Sequence, residues 1–327
     1  MIRMSVTRRT LMAGAALIAA FAAMPAAAQS GSKTLAITQI VAHPALDAAR
    51  KGVLDALAAK GFVEGKNLKV DFQNAQGQPA TAQQIARKFI GDRPDVIVPI
   101  TTPSSQPVVA ATTDIPVVFT AVTDPVSAKL VKSLEAPGAN VTGVSDLLPM
   151  KPQLELIKKL VPQATRVGFI YNPGEANSVA LLKATQREAA DLGLTIVEGV
   201  APNSGAVQGG ARSLVGKVDV IYIPNDSTVV TAVEAIVGVG TDAKIPVIAG
   251  DTASVERGAI AALGFDYYDL GVQTGDVVAE IFGGKKPGDI PVLTMKKLDL
   301  HLNKKTAAAQ GVTLPADLIG SAKKVFE

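Results

Sequence analysis

Asp95-Val96-Ile97-Val98-Pro99 and Asp219-Val220-Ile221-Tyr222-Ile223-Pro224 repeat one pattern within a single chain. Each is an acid followed by an unbroken apolar run that ends at a proline. A run with no polar alternation reads as a strand buried on both faces, as in a parallel sheet covered by helices. The echo continues on either side. Ile115-Pro116-Val117-Val118-Phe119 is matched by Ile245-Pro246-Val247-Ile248-Ala249, and Pro44, a helical stretch and Gly61 are matched by Pro173, a helical stretch and Gly193. Four matches in the same order, at an offset of about 130 residues, predict two lobes of similar architecture.

Working outward, residues 34–41, 68–73, 96–100 and 117–121 read as strands. Leu46, Ala49, Val53 and Leu57 recur at helical spacing after the first, with Gly61 as the stop signal. Further helices are expected near 81–90, 105–112 and 127–135. This βαβα alternation predicts an α/β fold. The tail does not make a third lobe. A helix over 268–282, a Gly-Pro turn at 283–288, an extended stretch over 290–302 and a helix from Lys304 are expected to return across a hinge, one piece to each lobe.

The first residues read as an export leader. Arg3, Arg8 and Arg9 are followed by an uncharged apolar run from Leu11 to Met24, then by Ala26-Ala27-Ala28 before Gln29. The run is shorter than the ~20 residues a spanning helix needs. Residues 1–28 are therefore expected to be removed. Thr7-Arg8-Arg9-Thr10-Leu11 also resembles a twin-arginine signal, so the export route stays open. Those three arginines are the leader's only charged residues, so its loss takes the formal charge from +3 to neutral and leaves no basic field for nucleic acid. The chain has no Cys, which removes disulfides and a lipid-anchored cysteine, and a freely diffusing exported protein points to a periplasm.

In open parallel sheets, ligands bind beyond the carboxyl ends of the strands. Those tips carry His43, Thr101, Thr102, Ser104, Ser105, Thr123 and Asp124 in the first half. In the second they carry Tyr171, Asn172, Glu175, Asn177, Ser178, Asn225, Asp226, Ser227, Thr228 and Asp251, with Asp266 where the chain leaves that lobe. Such residues commonly cap helices and close turns. Taken together, hydroxyls and helix N-termini without Lys or Arg suit the acid group of a zwitterion. Asp226 or Asp124 is expected to hold its amine, with Tyr171, Phe119 and Phe265 near an apolar body. His43 and His301 are the only histidines, and no nucleophile, phosphate-loop or metal motif appears, so no catalytic residue, cofactor or metal is expected.

His43-Pro44-Ala45-Leu46-Asp47, Val122-Thr123-Asp124-Pro125, Asn140-Val141-Thr142-Gly143, Tyr171-Asn172-Pro173-Gly174-Glu175-Ala176-Asn177-Ser178 and Gly264-Phe265-Asp266-Tyr267-Tyr268-Asp269-Leu270-Gly271 resemble the ABC-transporter substrate-binding family that includes the tryptophan/tyrosine-type (TrpX-like) periplasmic proteins. The resemblance implies a type I periplasmic-binding-protein fold, with two Rossmann-like lobes joined by three hinge crossings, and it adds Asp47 to the candidate contacts. The expected lobes are 33–146 plus 268–293 and 147–267 plus 294–327. The expected partners are a small solute, plausibly an amino acid, and a membrane permease. The protein is expected to be a monomer. Two other readings use the same cleft: a soluble accessory receptor for a membrane sensor, and an exported enzyme.

Overall fold

Val96–Ile100, Val117–Val122 and Val220–Ile223 are buried at every position, as unbroken apolar runs require when helices cover both faces of a sheet. The computed structural model describes residues 1–2 and 32–327, and the leader segments and the cleavage site before Gln29 lie outside the described residues. The unit from Ser32 to Glu327 contains both lobes.

The first lobe opens with β1 (Lys33–Gln39), α1 (Pro44–Ala59), β2 (Leu68–Asn74), α2 (Pro79–Asp92), β3 (Val96–Ile100), α3 (Thr102–Ala111), β4 (Val117–Val122) and β5 (Val141–Ser145). The chain then crosses into α4 (Met150–Leu160), β6 (Arg166–Tyr171), α5 (Ala176–Asp191), β7 (Thr195–Val200), α6 (Val207–Leu214), β8 (Val220–Ile223), α7 (Val233–Ala243), β9 (Val247–Ala249), α8 (Ala253–Glu256) and β10 (Ala261–Gly264). It returns to the first lobe as α9 (Tyr267–Phe282) and β11 (Leu293–Thr294). It ends in the second lobe as β12 (Asp299–Asn303), α10 (Lys304–Ala309), α11 (Ala316–Ser321) and β13 (Lys324–Phe326). The sheet orders are β11-β5-β4-β3-β1-β2 and β13-β12-β10-β9-β8-β6-β7. Each strand of the first sheet thus has a counterpart in the same place in the second. Among the pairings, β10 with β12 is antiparallel, which is where the third crossing re-enters.

The repeated acid has the same task in both lobes. Asp95 accepts the Thr34 amide and hydroxyl, each at 2.7 Å, pinning the start of β3 to β1. Asp219 accepts the amides of Thr165 and Arg166, each at 2.9 Å, pinning β8 to β6. The Arg166 guanidinium donates to the same carboxylate at 2.8 Å and holds it well below the usual carboxylate range. The glycines that follow the matched helices also agree. Gly61 and Gly193 take left-handed φ of 91° and 65°, a conformation that closes a helix end without a Cβ penalty.

One expected helix does not form. Residues 127–135 are turns and bends. Asp124 accepts the Ser127 amide at 2.9 Å, and Lys129 then turns left-handed at φ 61°, which stops the coil after one turn. The helix expected from 105 begins earlier, at Thr102, with Pro103 in its first turn.

α9 docks on α1 at backbone contact. A Cβ on Gly271 would lie 2.0 Å from the Ala49 carbonyl oxygen, and one on Gly52 would lie 2.2 Å from that of Tyr268. Glycine is therefore required at both positions to bring together the N-termini of the two helices. Gly271→Ala should lower the unfolding free energy in urea by about 3 kcal/mol, because neither backbone can yield. Gly209→Ala, whose Cβ would meet nothing within 4 Å in exposed α6, should be neutral or stabilising by up to about 1 kcal/mol. Equal effects of the two would contradict the tight packing.

Candidate functional site

The tips of both sheets converge on one cavity. His43, Ala45, Leu46, Thr101, Thr102, Ala121 and Thr123 line it from the first lobe. Asn177, Asn225, Asp226, Ser227, Val230 and Asp251 line it from the second, and Asp146 and Tyr267 stand at two crossings. No Lys or Arg is among these residues.

The first-lobe wall is made of unpaired donors. His43 caps α1, and its Nδ1 accepts the Ala45 amide at 3.3 Å. Burial pushes the imidazole below its ordinary pKa, so the neutral ring carries its proton on Nε2. That atom is buried without a partner. The Thr101 and Thr102 hydroxyls are likewise buried and unpartnered. Thr101 holds a φ of 81°, which a side-chain-bearing residue rarely adopts, and Ala121 one of 54° beside the β4–β5 register shift. Strain at two neighbouring strand tips is the kind of local distortion that positions groups at ligand sites.

The opposite wall offers acceptors. Asn177 spends its amide N–H on the Asn225 carbonyl at 2.9 Å, and Asn225 donates to the Tyr267 hydroxyl at 3.1 Å. The side-chain oxygens of both asparagines are buried and unpaired. At the hinge, Asp146 accepts from the Tyr267 hydroxyl at 2.7 Å and from Thr123 at 3.1 Å, and burial raises its carboxyl pKa.

Ten of the residues read from the sequence stand behind the cavity rather than in it, mostly as caps and struts. Glu175 accepts the amides of Ser227 and Thr228, both at 3.0 Å, tying the β8 tip to α5. Asn172 donates to the Thr228 hydroxyl at 2.8 Å. Asp47 accepts from Gln39 at 3.1 Å, and the Ser105 hydroxyl donates to the Thr101 carbonyl at 2.7 Å. Ser104 and Ser178 are buried in the first turns of their helices. Asp124 closes its own turn through Ser127, so it is not placed to meet an amine. Asp266 caps α9 and pairs with Lys323 at 3.1 Å. Tyr171 donates to Glu198 at 2.7 Å, which pushes its phenol up to about 12, and Phe119 and Phe265 are core residues. The candidate contacts read from the sequence omit Ala45, Leu46, Ala121, Asp146, Val230 and Tyr267, although Tyr267 adjoins Asp266 where the chain leaves the second lobe. Asp146 was recoverable, since Val141–Ser145 is an apolar strand with a polar tip like the others.

No hydrogen bond joins His43 Nε2 to a hydroxyl. Among the described residues no group of three or more His, Asp or Glu is arranged to hold a metal ion.

Asp226, expected to hold an amine, is already engaged. Its Oδ1 accepts the amides of Thr228 and Val229, both at 2.9 Å, and its Oδ2 accepts the Asn172 amide at 2.6 Å. Burial, reinforced by Glu175 beside it, still pushes the carboxyl up to about 7. A folded-state value above the unfolded one of about 3.9 means that its contribution to stability is full below about pH 4 and is lost as pH rises through about 7. In Asp226→Asn the new amide cannot accept the Asn172 N–H. Unfolding should cost about 1–3 kcal/mol less, with a flatter pH dependence between about 4 and 7, and solute affinity should change less than about threefold. A loss above tenfold at unchanged stability would instead place a solute contact here.

Residues 34–326 match the family model described as ABC transporter substrate binding protein. A tyrosine-binding protein of Clostridioides difficile (strain R20291) is 45% identical over 277 residues, covering 85% of this chain and 80% of the relative. An ABC domain from Streptococcus pneumoniae solved in complex with L-Trp is 34% identical and superposes with a TM-score of 0.88 over 90% of this chain and 100% of that one. A substrate-binding protein with adhesive properties from Clostridium difficile, in its ligand-free, open form, is 42% identical with a TM-score of 0.69 over 90% of this chain and 99% of that one. More distant solute-binding proteins, at 15–16% identity and TM-scores of 0.58–0.63, share the type I periplasmic-binding-protein fold alone. With the family model spanning nearly the whole described unit, the chain belongs to the ABC transporter substrate-binding protein family.

Proposed function

We propose that this protein is the exported, periplasmic receptor of an ABC importer, that it works as a monomer, and that it closes on a zwitterionic amino acid with an aromatic side chain. One observation carries the solute's chemistry. Unpaired donors on the first lobe, His43 Nε2 and the Thr101 and Thr102 hydroxyls, face unpaired acceptors on the second, the Asn177 and Asn225 side-chain oxygens. A carboxylate fits the donor wall, helped by the N-terminus of α3, and an ammonium fits the acceptor wall. With no Lys or Arg in the lining, a dianion has nothing to neutralise it. Ala45, Leu46, Ala121, Val230 and Tyr267 are left to cover an apolar body. The tyrosine-binding and L-Trp-bound relatives support an aromatic one.

A solute touching both lobes binds the closed form more tightly than the open form, which is what drives closure. The lobe arrangement agrees with a closed state. This chain superposes better on the L-Trp complex than on the ligand-free, open structure, although the latter is the nearer relative in sequence. The proposed rigid bodies are 33–146 plus 268–293 and 147–267 plus 294–327, hinged at the three crossings.

Calorimetry with L-tyrosine and L-tryptophan tests the solute directly, and both should bind with one site per chain. Small-angle scattering should give a smaller radius of gyration at saturation than without solute, and an unchanged radius would count against hinge closure. N-terminal sequencing of the protein recovered from the periplasm should begin near Gln29. An intact Met1 on cytoplasmic protein would rule out export.

A further inference from the structure

Three carboxylates line the cavity, and they are not equivalent. Asp226 accepts three backbone amides, and Asp251 is engaged within its own turn by the Ser254 amide at 3.0 Å and the Ser254 hydroxyl. Asp146 differs from both in its partners. Its Oδ2 takes the Tyr267 hydroxyl at 2.7 Å and the Asn225 amide at 3.5 Å, while its Oδ1 takes only the Thr123 hydroxyl at 3.1 Å. All three donors are neutral side chains, and the carboxylate is 3% exposed with no cation in the lining.

We propose that Asp146 is the counter-charge for the solute's ammonium group and that Tyr267 is the positioning residue that aims it. The inference rests on the amino-acid reading above. A buried carboxylate is costly unless it is paired, and here the partner left unsupplied by the protein is a cation. A carboxylate oxygen accepts two hydrogen bonds, so Oδ1, with one, keeps a lone pair for the solute. Asp251 keeps lone pairs too, but both its donors come from Ser254 in its own turn, whereas the donors to Asp146 are side chains brought from three separate segments. An ammonium has three N–H donors. Asp146 takes one, and the unpaired Asn177 and Asn225 oxygens in the same lining take the others. The Tyr267 hydroxyl donates to Asp146 while accepting from Asn225 at 3.1 Å, which fixes both groups at once. Its backbone is held in turn by the glycine contact between α9 and α1. The raised pKa of Asp146 has the same cause, burial without a cation, and an ammonium would reverse it. Asp146 follows β5 and Tyr267 opens α9, so the counter-charge and the residue that aims it sit on two crossings between the lobes.

The test compares L-tyrosine and L-tryptophan with their des-amino counterparts, 3-(4-hydroxyphenyl)propionate and indole-3-propionate, by calorimetry on the mature chain. Wild-type protein should prefer the amino acids by at least about 100-fold. Asp146→Asn should cut that preference below about tenfold, with des-amino affinity held within about threefold. Tyr267→Phe should reduce the preference by about tenfold, whereas a purely structural loss would weaken both solutes alike and leave the ratio intact. Full preference in Asp146→Asn, or its collapse in Asp251→Asn alone, overturns the assignment. If Asp146→Asn fails to fold, as read by its thermal unfolding, an unchanged ratio in Tyr267→Phe overturns it. Wild-type protein that binds neither amino acid overturns the solute reading, and the inference with it.

Discussion

Two helix backbones in contact set the geometry on which the rest of the site depends. α9 belongs to the first lobe yet enters it only after the chain has traversed the second. Gly52 and Gly271 remove the side chains that would hold it away from α1. The close approach seats Tyr267, the first residue of α9, next to His43 and Ala45 at the start of α1. The second crossing is therefore short and anchored at its first-lobe end.

Electrostatics then divides the polar groups by function. Most carboxylates at the strand tips are engaged by backbone amides, so they act as structural struts that hold loops in place: Glu175 and Asp226 between the β6 and β8 tips, Asp124 in its turn, Asp266 at α9. Buried polar atoms without partners are rare in folded proteins. Here several of them belong to residues, His43, Thr101, Thr102, Asn177 and Asn225, that line a single cavity. This concentration, and not the number of polar residues, separates a binding surface from a set of loop caps.

The sequence made the architecture legible to a high degree, for a physical reason. Strands covered on both faces must be apolar throughout, so Val96–Ile100 and Val220–Ile223 announce themselves, and the acid before each pins the neighbouring strand in both lobes. The helix expected at 127–135 was the main error in fold, because composition alone does not reveal that Lys129 turns left-handed. The site was legible only in outline. The strand-tip rule led to nine lining residues but also to ten that stand behind them. A Ser, Asn or Asp that caps a turn has the same composition as one that meets a solute. Asp146 and Tyr267 lie on crossings, where no periodicity marks them.

The residues themselves determined the α/β class, the duplicated lobes, the absence of basic side chains at the tips and, with it, the expectation of a neutral or zwitterionic solute. The direction of each polar side chain was decided only by tertiary structure. Asp226 and Asp146 are the same chemical group at similar loop positions. One meets three backbone amides because the β6 and β8 tips close over it. The other meets neutral side-chain donors from both lobes and from the first residue of α9. Which carboxylate is taken up by backbone amides and which by side chains depends on contacts between segments far apart in the chain, and local sequence carries no record of them.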